Sequence, residues 1–236
     1  MVKKAVCLIS GGLDSCVTAH IAKKEGYETY ALSFNYGQRH NKEINCAKEV
    51  AKYVKAKKHI IFDIDLSVFG GSSLIDKSID MPKNLDLKDI GKTIPSTYVP
   101  ARNTVFLSIG LAYAESLDAD AIFIGATSTD YSGYPDCRPK YFEAFQKMAN
   151  LATKKGLEGM PIEIKTPLLN MSKAEIIKKG FDLNAPFEKT WSCYKGGENA
   201  CGKCDSCLLR LKGFKEAGSK DPIGYEHLPD WYHKKV

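Results

Sequence analysis

Two groups of residues in this 236-residue chain have the types and spacing for chemistry. The first is Ser10-Gly11-Gly12-Leu13-Asp14-Ser15. Adjacent glycines let backbone amides approach a ligand with no Cβ in the way, and the two serines add hydroxyl donors. The chemistry that fits is capture of an anion, above all a phosphate, on amides at a helix start. The second group is Cys193-x7-Cys201-x2-Cys204-x2-Cys207. Four thiolates so spaced close a tetrahedral sulfur site, which suits zinc and leaves no open position, so a structural role is expected. Gly196, Gly197 and Gly202 supply the sharp turns. An iron–sulfur cluster is the rival, but the fourth cysteine followed by proline of the ferredoxin pattern is absent.

The elements around the first group read as strand, turn and helix. Ala5 to Ile9 is an unbroken apolar run, as in a strand buried on both faces. Leu13, Val17 and Ile21 then continue at four-residue spacing, as on a helix. The turn is neither a G-x-x-x-x-G-K-[ST] loop nor a G-x-G-x-x-G fingerprint. Further strands are expected at Thr29–Asn35, His59–Ile64, Asp120–Ala126 and Ile162–Lys165. Helices are expected near 41–57, 103–117 and 141–152. Ser172-Lys173-Ala174-Glu175 matches a capping box opening a helix that stops at Gly180. Another helix starts at Asp205 and Ser206, with Leu208, Leu211 and Phe214 returning to the core.

Repeated βα units predict a doubly wound α/β fold: a mainly parallel five-stranded sheet with helices on both faces. That domain covers residues 1–185, interrupted at about 65–102 by an insertion or lid whose first half also reads as a disordered loop. A small four-cysteine zinc-binding subdomain follows at 186–218, and a tail at 219–236. In such sheets ligands sit beyond the carboxyl ends of the strands, which singles out the segments after each strand.

Net charge is +6 with both signs interspersed, and 44% of residues are apolar. That suits an ordered core and anionic ligands without implying nucleic acid. No apolar run is long enough to span a membrane. Met-Val-Lys-Lys leads straight into the first strand with no room for a leader, so a cytoplasmic protein is expected. In a reducing compartment the clustered cysteines point to metal rather than disulfides.

The segment Ser128 to Arg138 carries two carboxylates, two tyrosines, a thiol and an arginine. Carboxylates suit the N–H edge of a guanine-like base and tyrosines suit stacking on it. Cys137 is a possible nucleophile by type, yet no histidine lies near it in sequence. Arg39 and Arg102 are candidates for phosphate or carboxylate contacts. Lys173, in the first turn of its helix, reads equally as a group placed to reach a transferring phosphate and as a helix-surface lysine.

Together these motifs resemble the 7-cyano-7-deazaguanine synthase family, within the ATP-pyrophosphatase (PP-loop) superfamily. The resemblance rests on Ser10–Ser15, Tyr36-Gly37-Gln38-Arg39-His40, Val99-Pro100-Ala101-Arg102-Asn103, Thr129 to Arg138, Thr166-Pro167-Leu168 with Lys173-Ala174-Glu175, and the four late cysteines. It implies a HUP-like (adenine nucleotide alpha hydrolase) fold and a carbon–nitrogen ligase. The substrates would be 7-carboxy-7-deazaguanine, ammonia and ATP, with Mg²⁺ accompanying ATP and one structural Zn²⁺ per chain. Ile9, Ser10, Gly11, Gly12, Leu13, Asp14, Ser15, Cys16, Val17, Thr18 and Ala19 would form the ATP site. Asp14, Arg102 and Lys173 would be catalytic, with Asp14 helping to place Mg²⁺. Arg39, Asp130, Tyr134, Asp136 and Cys137 would hold the substrate. No stable nucleic acid and no membrane are implied, and a homodimer is one of the open assembly states. The rivals are a PP-loop tRNA-modifying enzyme and a non-catalytic zinc-ribbon module that binds nucleic acid. The first needs a separate RNA-binding domain or paired catalytic cysteines; the second leaves the glycine turn unexplained.

Overall fold

The apolar run after Lys4 forms β1, Lys4–Leu8, whose Ala5, Val6 and Cys7 are inaccessible to solvent from either face. In the computed structural model, which describes residues 2–83, 87–90, 92–127 and 133–233, this strand is the middle of a five-stranded parallel sheet. β2 (Glu28–Asn35) and β3 (Lys58–Asp63) lie on one side of it, β4 (Ala121–Phe123) and β5 (Glu163–Lys165) on the other. The order β3-β2-β1-β4-β5 reverses direction at β1, so the crevice between β1 and β4 is the switch point where such sheets take ligands. Cys7 pairs with Ala31 on one flank and Phe123 on the other.

β4 is shorter than Asp120–Ala126 would suggest. Past it, Gly125 runs against the start of the first helix, where an added Cβ would lie 2.9 Å from Asp14 and Ser15 backbone atoms. The ladder is given up there so that the chain can pass beneath that helix.

The helices are α1 (Leu13–Lys24), α2 (Lys42–Tyr53), α3 (Arg102–Ser116), α4 (Pro139–Ala152), α5 (Lys154–Leu157), α6 (Lys173–Asp182), α7 (Asp205–Glu216) and α8 (Asp230–His233). Alternation along the strands sends Ala5, Cys7 and Phe123 to one face, where they meet Val17, Ile177, Phe187 and Phe214. Val6, Leu8 and Ile122 point the other way, onto Leu107, Leu111, Phe142 and Phe145. The Ser172–Glu175 capping box forms as expected. Gly180 does not end its helix, however. α6 runs on to Asp182, and the glycine is there because the Phe187 ring occupies the space a Cβ would take, 2.2 Å away.

The insertion after Asp65 is folded rather than loose in its first half. Leu66, Leu74, Ile75 and Val99 join the second core, and Ser72 and Ser73 are fully buried. The chain after Ser219 wraps the four-cysteine segment. Ala200 bridges to Tyr225, and Asp221 forms a buried ion pair with Arg210 at 2.7 Å. Among the described residues, no helix is long and apolar enough to cross a membrane.

Candidate active site

The glycine turn sits at the switch point, and its neighbours dictate its residues. Gly11 has φ +84°, and a Cβ there would come within 2.1 Å of the Glu43 carbonyl oxygen. No other residue type satisfies both demands. The Ser15 hydroxyl accepts the Ser10 amide (3.2 Å) and donates to the Gly12 carbonyl (3.0 Å), which sets the curve of the loop. No side chain caps the start of α1, so its first-turn amides and dipole are presented to a cavity of about 310 Å³. Ile9, Ser10, Gly12, Leu13, Asp14 and Ser15 line that cavity. Cys16, Val17, Thr18 and Ala19 lie beneath them in the core, holding α1 down rather than facing the opening.

Lys173 projects from the first turn of α6, its stem packed over Gly213 of α7, where a Cβ would meet it at 2.3 Å. Its ammonium donates to both oxygens of Asp14, at 2.7 and 2.8 Å. The cavity wall therefore carries a lysine and a carboxylate side by side next to the anion-binding amides. Arg102, the first residue of α3, enters from the opposite side. It lies 5.6 Å from the Tyr36 ring centre and 5.9 Å from that of Phe106. Burial works against its charge, but Tyr36, Tyr134 and Asp136 outweigh that and hold the guanidinium above its usual range.

Tyr134 forms part of the same wall, with its hydroxyl 3.1 Å from Thr97 Oγ1 of the insertion. Gly133 rests against Thr93 and Pro95 with no space for a side chain. The insertion thus buttresses the candidate substrate segment. Cys137 also lines the cavity. Its sulfur accepts from Asn103 Nδ2 at 3.3 Å, and burial pushes the thiol up to about 12, with Asp136 adding to the shift. A thiol so disfavoured as thiolate is not an activated nucleophile.

The four sulfurs of Cys193, Cys201, Cys204 and Cys207 lie within 4.8 Å of one another. A tetrahedron with metal–sulfur bonds of about 2.3 Å has edges of about 3.8 Å, and Cys201 and Cys207 are 3.9 Å apart. Backbone amides of Lys195 and Cys201 donate to the Cys193 sulfur, and those of Lys203 and Cys204 to the Cys201 sulfur. Such donors stabilise thiolates and orient them. Thiol hydrogens of Cys204 and Cys207 drive Cys193 down to about 3 and Cys201 down as well, while those two donors are themselves driven up. A cation bound by all four relieves that conflict, and the spacing fits one metal ion.

The sulfur knot reaches the cavity directly. The Trp191 amide donates to the Gly11 carbonyl at 2.9 Å, and the Trp191 indole N–H donates to the Cys193 carbonyl at 2.8 Å. Lys42 of α2 lies 3.4 Å above the Trp191 ring and bonds the Gly197 and Glu198 carbonyls. Ser192, Tyr194 and Leu209 close that side of the cavity.

With this arrangement in view, comparison with known proteins is decisive. The family model described as "Queuosine biosynthesis protein QueC" matches residues 4–218. The chain belongs to this family. The 7-cyano-7-deazaguanine synthase of Acetivibrio thermocellus is 58% identical, over 94% of this chain and 98% of that protein. The one from Thermoplasma acidophilum is 56% identical, over 98% and 95%, and the one from Thermosynechococcus vestitus 52%, over 96% and 97%. The likeness to the solved NMN synthetase of Francisella tularensis is partial, with a TM-score of 0.47 at 18% identity over 93% of this chain and 79% of that one.

Two of the residues expected at the substrate make hydrogen bonds within the protein, and the first of them, Arg39, also lines the cavity. Arg39 directs its Nε to the Ser73 carbonyl (2.6 Å) and its Nη2 to those of Asp76 and Ile79 (2.9 and 2.6 Å). It pins the insertion to the end of β2. Asp136 accepts the Asn103 amide at 3.0 Å and so caps α3, whose own N-cap residue, Ala101, has no side chain to do so. Burial raises its carboxyl, an effect the Asn103 amide and Arg102 oppose. Asp130 lies outside the described residues.

Among the cavity-wall residues that carried no signal in the sequence, two matter most here. Trp191 is one. The other is Glu43, in the first turn of α2, half-buried, its carboxyl pushed up to about 7 by burial against the opposing pull of Arg102.

Proposed function

We propose that this chain is an ATP-dependent carbon–nitrogen ligase that converts 7-carboxy-7-deazaguanine and ammonia into 7-cyano-7-deazaguanine, for queuosine or archaeosine. One observation carries the reading. The anion-binding turn, the Asp14–Lys173 pair and the Arg102–Tyr134 wall face a single cavity, in a chain 52–58% identical, nearly end to end, to proteins named for that product. A carboxylate is a poor electrophile because its oxygen leaves badly. Transfer of a phosphorus group from ATP to that oxygen makes it a good leaving group, and ammonia then gives the amide. A second activation, at the amide oxygen, allows its loss and leaves the nitrile. The protein's part is positioning and charge stabilisation.

In this reading Ser10 to Ser15 would cradle the phosphates, and Asp14 would be the carboxylate that holds the Mg²⁺ accompanying ATP. Lys173 and Arg102 neutralise charge on the transferring group. Tyr134, the Cys137 wall and Asp130 receive the heterocycle. The four cysteines hold structural zinc, which leaves no position for substrate. A cytoplasmic enzyme and a homodimer are part of the same proposal; sedimentation at working concentration checks the second. The activity is tested by incubating purified protein with the acid, ammonium and ATP and measuring the nitrile by mass, with AMP and ADP quantified alongside. Absence of nitrile with metal-replete protein removes the assignment.

A further inference from the structure

Of the carboxylates lining the cavity, Asp14 is engaged by Lys173; Asp136, next to the wall residue Cys137, is engaged by the start of α3. Glu43 differs. It lines the cavity, and among the described residues no donor bonds its carboxyl. Its backbone backs directly onto Gly11, so it stands beside the anion-binding turn; burial raises its carboxyl most, Arg102 opposes that and Cys193 adds to it. A half-buried acceptor with no internal partner is arranged to take a hydrogen from something that enters.

Resting on the ligase reading above, we propose that Glu43 is the proton acceptor for the incoming nitrogen. Ammonia is present at neutral pH almost wholly as ammonium, which has no lone pair to donate. The Glu43 carboxylate takes one proton from ammonium, leaving the electron pair on nitrogen. That nitrogen bonds to the activated carboxyl carbon. The bond from this carbon to the phosphorus-bearing oxygen breaks, and its electron pair leaves with the nucleotide or phosphate. The surplus proton on the new amide nitrogen passes to water. No oxidant or further reactant is needed.

The test uses the metal-replete full chain and two nucleophiles. Hydroxylamine is largely unprotonated at neutral pH, so it reaches the activated acid as a ready nucleophile and gives a hydroxamate without help from a base. Glu43→Gln, similar in size and shape, should lower kcat with ammonium about a hundredfold or more. Hydroxamate formation and the KM for the acid should stay within about twofold, as removal of a proton acceptor alone requires. Added formate should restore part of the ammonium reaction in Glu43→Ala. Equal loss with both nucleophiles and no recovery with formate would show that Glu43 holds the heterocycle or the fold, and overturns the proposal. Unchanged turnover with ammonium overturns it too. Wild-type protein that makes no nitrile from ammonium would instead remove the ligase reading itself, so the two failures are distinct.

Discussion

The glycine turn and the four-cysteine knot meet at one hydrogen bond, Trp191 N–H to the Gly11 carbonyl, yet they reach precision by opposite routes. The turn is defined by what is missing: Gly11 and Gly125 have backbone atoms of neighbouring elements where a Cβ would be. Its shape exists before any ligand arrives, because β1, α1 and α2 are packed by the main core. The knot is defined by what converges. Its cluster consists of Trp191, Ala200 and the four cysteines, with only a few partly buried neighbours. In the reading proposed above, a metal held by the four sulfurs would supply the cohesion that so small an apolar group does not. On that reading a preformed site leans on one that a metal would complete.

Emptying the knot tests that dependence and should have the largest effect. Structural zinc contributes about 10–16 kcal/mol in small metal-dependent domains. Chelation, or Cys201→Ser, should release residues 190–233 to hydrogen exchange and weaken ATP binding at least tenfold. Retained ATP affinity in the metal-free protein would mean that the turn stands alone. The next effect concerns the wrap around the knot. Arg210 and Asp221 are both nearly inaccessible, with side-chain exposures of 3% and 1%, and are joined by two bonds. Asp221→Asn leaves a buried guanidinium without its counter-charge and should cost about 3–5 kcal/mol by denaturant melting. Gly11→Ala should cost about 2–5 kcal/mol, from left-handed strain plus overlap with α2. Gly26→Ala is the control: φ is +85° there too, but nothing lies within 4 Å of the added methyl. A loss at Gly11 no larger than at Gly26 would remove the packing argument.

The same contrast explains what could be read from the sequence. The five strands and α1 to α4 follow from short-range periodicity, and the turn from two glycines between a strand and a helix, all within about fifteen residues. The sulfur site was legible because ligand type and spacing suffice to define it. Glu43 was not, because it sits beside the apolar stripe of α2 and only the approach of Arg102 from α3 gives it meaning. Asp136 has the type of a base-binding carboxylate, but Ala101 leaves α3 without a cap and Asp136, 33 positions beyond Asn103, supplies it. Gly180 reads as a stop signal locally and is a contact for Phe187 in three dimensions. The tail carries no motif, and its role appears only through Asp221 and Tyr225.

Lys173→Met separates stability from chemistry at the turn. The pair with Asp14 is partly exposed, with side chains 16% and 29% accessible, so the melting free energy should change by no more than about 1 kcal/mol. Turnover should nonetheless fall about a hundredfold or more if the ammonium stabilises charge on the transferring group. Stability and rate falling together would make the lysine a structural strut between α1 and α6.

The smallest effect concerns how the turn is anchored from below. Ser33 donates its hydroxyl hydrogen to the Ile9 carbonyl at 2.5 Å, so the His59 Nε2, 2.8 Å from the same oxygen, must be the donor to it. The added proton of acid conditions therefore goes to Nδ1. Burial, with the Lys48 charge adding to it, holds His59 below the ordinary histidine range. As pH falls below about 6.5 the unfolded chain takes up a proton that the folded one resists. The unfolded state then binds more protons, so stability drops with falling pH through that window and is fully present above it. His20, lowered chiefly by burial, acts in the same direction. Melting midpoints should thus be lower at pH 5.5 than at pH 7.5. In His59→Gln the decline should be shallower, while His20 and the knot thiolates keep their share. An identical slope in the variant would show that His59 already takes its proton in the folded state, and that the Ser33–Ile9 anchor is indifferent to it.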